Sequence, residues 1–166
     1  PPRPAVASPP PPLPPPPPTN PSPSPGGETP VLRVRDNRTT TYLREMVGEG
    51  ELLAALAAAG RATVVVKFYA PFCRACKAVG VKMDKLSKQV YGGEDGAGLD
   101  QVVMYEVDIS DERNVDFYKK HNVTRLPTFR FYKATEGVVE DFTCSPSRFG
   151  TVRSKLREHL GGETGF

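Results

Sequence analysis

Cysteine is scarce in this chain: three in 166 residues, an odd number and too few for the disulfide framework that staples small secreted domains. Long hydrophobic runs are missing as well. The longest mainly apolar stretch, Leu52 to Ala59, falls far short of the roughly 20 residues a helix needs to cross a bilayer. No membrane partner is expected. Charge of one sign is also weak. The formal net charge is +3, and Arg3 cancels Glu28 within the first thirty residues, so the excess belongs to the remainder. A nucleic-acid surface needs basic residues clustered on one face, so nucleic acid is not an expected partner either. The chain opens at Pro1 without a methionine, as a processed or truncated form does, and a targeting segment ahead of it would be out of view.

Proline is almost absent after residue 30. Sixteen of the 19 prolines fall in residues 1–30, leaving only Pro71, Pro127 and Pro146 beyond them. A stretch such as Pro9–Pro12, Leu13, Pro14–Pro18 has little to bury and few backbone donors. Residues 1–30 are therefore expected to be a disordered, extended polyproline II tail or linker. Leu13 followed by five prolines also resembles the ligands of proline-binding modules, a second candidate role for the tail after that of a plain spacer. Residues 31–166 fit the usual size of one compact domain, expected to act as a monomer.

Within that domain the hydrophobic pattern alternates between two periods. Val31 to Val34 alternates apolar and basic residues, as a short edge strand would. Glu51 to Ala59, rich in alanine and leucine and stopped by Gly60, reads as a helix. Ala62 to Tyr69 is a nearly continuous β-favouring run, which places it in the centre of a sheet covered on both faces. From Cys73 the spacing becomes helical: Cys76, Val79, Met83, Leu86 and Val90 share one face, with lysines between them, until Gly92–Gly93. After a loop over 92–100, Val102 to Ile109 reads as a second buried strand, and Ser110 or Asp111 can cap a helix running to about Lys120. Thr128 to Tyr132 and Val138 to Phe142 form a hairpin, and Ser145–Pro146 opens a last helix with Phe149, Val152, Leu156 and Leu160 on one face. The order β-α-β-α-β-α-β-β-α implies an α/β fold, a central mixed sheet flanked by helices.

Cys73 and Cys76 stand as C-x-x-C at the start of the helical pattern, inside Phe68-Tyr69-Ala70-Pro71-Phe72-Cys73-Arg74-Ala75-Cys76-Lys77. About fifty residues later comes Thr124-Arg125-Leu126-Pro127-Thr128. Together with the element order, these two segments resemble the thioredoxin superfamily over about residues 31–160. The first matches its redox dithiol and the second its cis-proline loop. Two features depart from the usual pattern: Phe72 replaces a tryptophan, and Arg74-Ala75 fills the dipeptide between the cysteines. An arginine there is similar to atypical plastid and algal members, whereas Phe-Tyr-Ala-Pro-Phe-Cys is similar to protein disulfide isomerase domains. The resemblance thus implies a plastid location, with cytosol or endoplasmic reticulum as alternatives.

The chemistry expected of a C-x-x-C at a helix start is thiol–disulfide exchange. Unpaired N–H groups and the helix dipole stabilise a thiolate on Cys73, and Arg74 and Lys77 add positive charge. Cys73 is expected to attack a partner's disulfide and Cys76 to resolve the mixed disulfide, without a bound cofactor. The resemblance implies that Pro127 is cis and shields the dithiol. Phe72, Arg74, Ala75, Arg125 and Leu126 would then contact the substrate. The partners so implied are disulfide-bearing client proteins and an upstream thiol reductant.

Lys67 stands in a hydrophobic strand where the family usually carries a buried acid that takes the proton of the second cysteine. Glu106 stands where it often carries a lysine. The two read either as a charge swap preserving a buried ion pair, in which Glu106 or a neutral Lys67 would take the proton of Cys76, or as a packed Lys67 stem whose ammonium reaches water. Cys144 is read as a small packing residue, with a regulatory thiol as the alternative. Two further functional classes compete with the oxidoreductase. Cys73, Cys76, His121 and Cys144 would make a Cys₃His metal set, although only one close ligand pair is present. An adaptor that keeps the fold without the redox chemistry is the other.

Overall fold

The structure, a computed structural model, describes residues 33–35, 39–91 and 101–160. The expectations for the tail over residues 1–30 and for the loop over 92–100 lie outside the described residues. Strands β1 (Arg33–Arg35) and β2 (Thr39–Thr41) are followed by β3 (Arg44–Glu45), α1 (Gly48–Ala59), β4 (Thr63–Tyr69) and α2 (Arg74–Tyr91). Then come β5 (Val102–Asp108), a three-ten turn over Glu112–Asn114, α3 (Val115–Lys120), β6 (Thr128–Lys133), β7 (Gly137–Thr143), a second three-ten turn over Pro146–Arg148, and α4 (Gly150–His159).

Five strands form one sheet in the order β3-β5-β4-β6-β7. β4 lies parallel to β5 and antiparallel to β6, so the run of valines sits in the middle. This central position explains its composition. A strand whose faces are both covered has no use for alternating polar residues, and from Thr63 to Phe68 every residue is buried. On one face Val65, Met104, Phe129 and Phe131 pack with Val79, Met83 and Leu86 of α2 and Val152 and Leu156 of α4. On the other, Val64, Val66, Phe68 and Val107 pack with Leu52 of α1 and Phe117 of α3. The expected mixed sheet with helices on both faces is the observed architecture.

Two elements differ from the sequence reading. The strand expected at 31–34 does not edge this sheet. Its described part, Arg33–Arg35, pairs antiparallel with Thr39–Thr41 in a separate two-stranded ribbon. The sheet edge is the two-residue β3, parallel to β5 with Arg44 opposite Tyr105, and two residues are too few to show any period. Helix α1 also starts at Gly48, ahead of the expected Glu51, with Gly48 at φ +72°. Its first amides find acceptors: Val47 N donates to Glu51 Oε2 at 2.7 Å and Gly48 N to Asn114 Oδ1 at 2.7 Å. Asn114, buried at 1% exposure, also donates to the Asp108 carbonyl at 2.9 Å and so ties α1 to the end of β5. Of the two candidate caps before α3, Asp111 is the one used, accepting from Arg113 N.

Candidate active site

β4 carries the chain straight to the dithiol. Ala70 is still buried, while Pro71 and Phe72 turn outward. Cys73 N then donates to the Ala70 carbonyl at 3.1 Å, closing a tight turn directly before α2. Cys73 and Cys76 are joined as a disulfide, with Cα atoms 5.2 Å apart. The two sulfurs differ in access. Cys73 is half-buried at the helix mouth, whereas Cys76, one turn further in, is only 2% exposed. The backbone N–H of Cys76 donates to Cys73 Sγ at 3.1 Å. This amide belongs to the first turn, where helix N–H groups lack intrahelical partners. The first turn of α2 contains no acidic residue, and Arg74 and Lys77 stand exposed beside it. Charge and dipole therefore favour an anionic sulfur at Cys73.

A second segment reaches the same end of the sheet. Thr128 lies opposite Phe68 in the antiparallel register, which brings the residues before it level with the end of β4. The Leu126–Pro127 peptide is cis. Pro127 is buried, Leu126 half-buried and Arg125 exposed. The loop is fixed from both sides, since Thr128 Oγ1 donates to the Arg125 carbonyl at 2.7 Å and Cys144 N to the Pro127 carbonyl at 3.1 Å. Phe72 is 76% exposed, an open aromatic ring one residue before the accessible sulfur, with Arg74 exposed and Ala75 half-buried beyond it.

Lys67 and Glu106 are brought together beneath this surface. They sit side by side on β4 and β5, and Lys67 Nζ lies 2.9 Å from Glu106 Oε2 with side-chain exposures of 1% and 8%. The Lys67 stem thus ends on a carboxylate and not in water. Its ammonium also stands 4.9 Å from the Tyr69 ring centroid and 3.7 Å from the Cβ position that Gly80 leaves empty. Gly80 escaped the sequence reading. An isolated glycine within a helical pattern signals close packing there, but not what packs against it.

Cys144 is buried at 2% exposure, with its Sγ donating to the Ser145 carbonyl at 3.3 Å. Burial pushes its thiol above the usual cysteine range, and nearby Lys82 only partly offsets this. That is the environment of a packing residue. His121 lies apart, edge-on to Phe117 with ring centroids 4.8 Å apart and its Nε2 3.6 Å from Glu49 Oε1. Burial holds its imidazole below the usual histidine value. Among the described residues no group of three or more His, Cys, Asp or Glu side chains could hold a metal ion, so the Cys₃His set does not assemble. A shallow hollow lined by Lys82, Lys85, Ser147, Phe149, Gly150 and Arg153 includes none of the predicted site residues.

A dithiol at a helix mouth, a cis-proline loop level with it and this strand order are a specific combination, and residues 50–150 match the thioredoxin family model. The chain belongs to the thioredoxin family. It is 35% identical over 95 residues to "Thioredoxin-like 2-2, chloroplastic" of Arabidopsis thaliana, covering 57% of this chain and 36% of that protein. The chain thus spans little more than a third of that relative's length. Among solved structures, thioredoxin from Fasciola hepatica has a TM-score of 0.59 at 23% identity, covering 70% of this chain and 99% of that one. Thioredoxin f2 in its complex with ferredoxin:thioredoxin reductase has a TM-score of 0.56 at 21% identity, covering 70% and 93%. These two likenesses are of fold.

Proposed function

We propose that this member of the thioredoxin family reduces disulfides in client proteins through Cys73 and Cys76. The observation that carries the reading is the Cys76 amide donating to Cys73 Sγ at the mouth of a helix whose first turn has no acid. In the reduced protein the Cys73 thiolate attacks one sulfur of a client disulfide. The other client sulfur leaves as a thiolate and takes a proton from water, and a mixed disulfide remains. Cys76 then loses its proton, attacks Cys73 Sγ and releases the second client sulfur, which is protonated in turn. The client gains two electrons and two protons, and the dithiol becomes the Cys73–Cys76 disulfide seen here.

Of the two buried charges, Glu106 is assigned the proton of Cys76, because an ammonium has no acceptor site to offer. Pro127 is assigned the shielding of the dithiol. Leu126 presents its backbone to an extended client segment, which Phe72, Arg74, Ala75 and Arg125 border. An upstream thiol reductant restores the dithiol. The complex of a thioredoxin f2 with ferredoxin:thioredoxin reductase supports a reductase in that role, and the chloroplastic relative supports a plastid setting.

Reduction of insulin disulfides with dithiothreitol as the electron source tests this. Turnover well above the background rate is expected, with its loss in Cys73→Ser. No rate above background in either protein would favour an adaptor that keeps the fold alone.

A further inference from the structure

The exchange described above leaves the Lys67 ammonium with no task except to neutralise Glu106. The packing gives it another. Lys67 follows Val65 by two positions on β4 and so shares its face, the one that packs against Val79 and Met83 of α2. Its ammonium reaches the helix at Gly80, 3.7 Å from the empty Cβ position, while no atom of Glu106 comes within 4 Å of that point. Gly80 is four residues after Cys76, hence one turn along the same buried face, where equivalent Cβ positions are about 5–6 Å apart. Of the two opposite charges in the pair, the positive one is therefore turned toward the helix that holds the second sulfur.

We propose that Lys67 is a positioning residue whose ammonium, held by Glu106 and admitted by Gly80, stabilises the thiolate of Cys76. The proposal rests on the oxidoreductase reading and deepens it by assigning the sign of the charge behind the resolving sulfur. A cation near a thiol lowers its proton affinity, whereas a carboxylate there would raise it. Lys67 keeps its own protons throughout. Its effect is to ease the ionisation of Cys76 in the mixed disulfide, so that resolution proceeds at lower pH than an uncharged neighbour would allow.

The test uses the full chain with Cys73→Ser and Cys144→Ser, which leaves Cys76 as the sole thiol. Its titration is followed by the ultraviolet absorbance of the thiolate, a signal that needs no reagent to reach a buried sulfur. Three forms are compared: the native pair, the neutral pair Lys67→Met/Glu106→Gln, and the exchanged pair Lys67→Glu/Glu106→Lys. Cys76 is expected to be most acidic with the native pair and about tenfold less so, about one pH unit, with the neutral one. It should be weaker still with the exchanged pair. Equal midpoints in the native and neutral forms, or a lower one in the exchanged form, overturn the proposal. Thermal melts establish that each form is folded. The neutral pair strands no charge and decides the matter if the exchanged pair does not fold. Insulin reduction by the unmodified chain is measured alongside. Its failure would refute the parent reading, whereas activity with an unmoved Cys76 titration refutes only the role of Lys67.

Discussion

Lys67→Met should be among the most damaging single substitutions in this domain, for a reason that lies in its partner. The side chain of Lys67 is 1% exposed and that of Glu106 is 8% exposed, so removing the ammonium leaves a carboxylate facing a hydrophobic interior. Breaking a buried pair by deleting one member costs about 3–5 kcal/mol, most of it the desolvation of the charge left behind. Against a total domain stability of about 5–15 kcal/mol, that is at least about a fifth. With a urea slope of about 1–3 kcal/mol per molar, the unfolding midpoint should fall by about 2 M. The double variant Lys67→Met/Glu106→Gln strands no charge and should recover about 2–3 kcal/mol of the summed single costs as coupling. Because the pair is buried, added salt should change these differences little. Urea denaturation of the four proteins, followed by circular dichroism, supplies the comparison. A Lys67→Met cost below about 1 kcal/mol, or a double variant that loses the full sum, would show that the two charges are not a coupled buried pair.

Three further outcomes follow from the packing. The Cys144 thiol is pushed up from its ordinary 9.0 by burial, so the folded state holds that proton to higher pH than the unfolded chain. Its contribution to stability is present below that ordinary value and is lost as pH rises toward the raised one. The stability of the native protein relative to Cys144→Ala should therefore decline above about pH 9, and a pH-independent difference would contradict it. Asn114→Ala removes the acceptor for Gly48 N and the donor to the Asp108 carbonyl. It should cost about 1–3 kcal/mol in urea unfolding, and a neutral result would mean that α1 is not held by this residue. Tyr91→Phe deletes the 3.0 Å bond to the Val102 carbonyl. A loss of about 1 kcal/mol is expected, and no loss would show that water replaces it.

Which features could be read from the chain depended on how local their causes are. β4 was legible because a central strand needs apolar residues on both faces, and the Cys76–Val90 stripe because one face of α2 meets the sheet. β3 was not, because its two residues are defined by what they pair with on β5. The true start of α1 was hidden for a similar reason. Gly48 and Gly50 argue locally against a helix, while the acceptor that supports Gly48 comes from Asn114, far along the chain. At the site, the dithiol spacing was visible in the letters alone. Lys67 was not decided by its own strand, since a lysine in an apolar run suits a buried pair as well as a solvent-seeking stem. The choice is made by Glu106 beside it and by the space at Gly80, both set by tertiary packing.

In the proposed exchange Cys73 is the sulfur that attacks the client, and Cys76 is the one that then attacks Cys73 and displaces the client. This central claim is tested most directly by incubating the reduced Cys76→Ser variant with a protein carrying one accessible disulfide and counting covalent adducts by non-reducing electrophoresis and mass spectrometry. A stable one-to-one mixed disulfide through Cys73 is predicted, absent from Cys73→Ser and dispersed by dithiothreitol. No adduct in Cys76→Ser, or equal adduct in both variants, would contradict it.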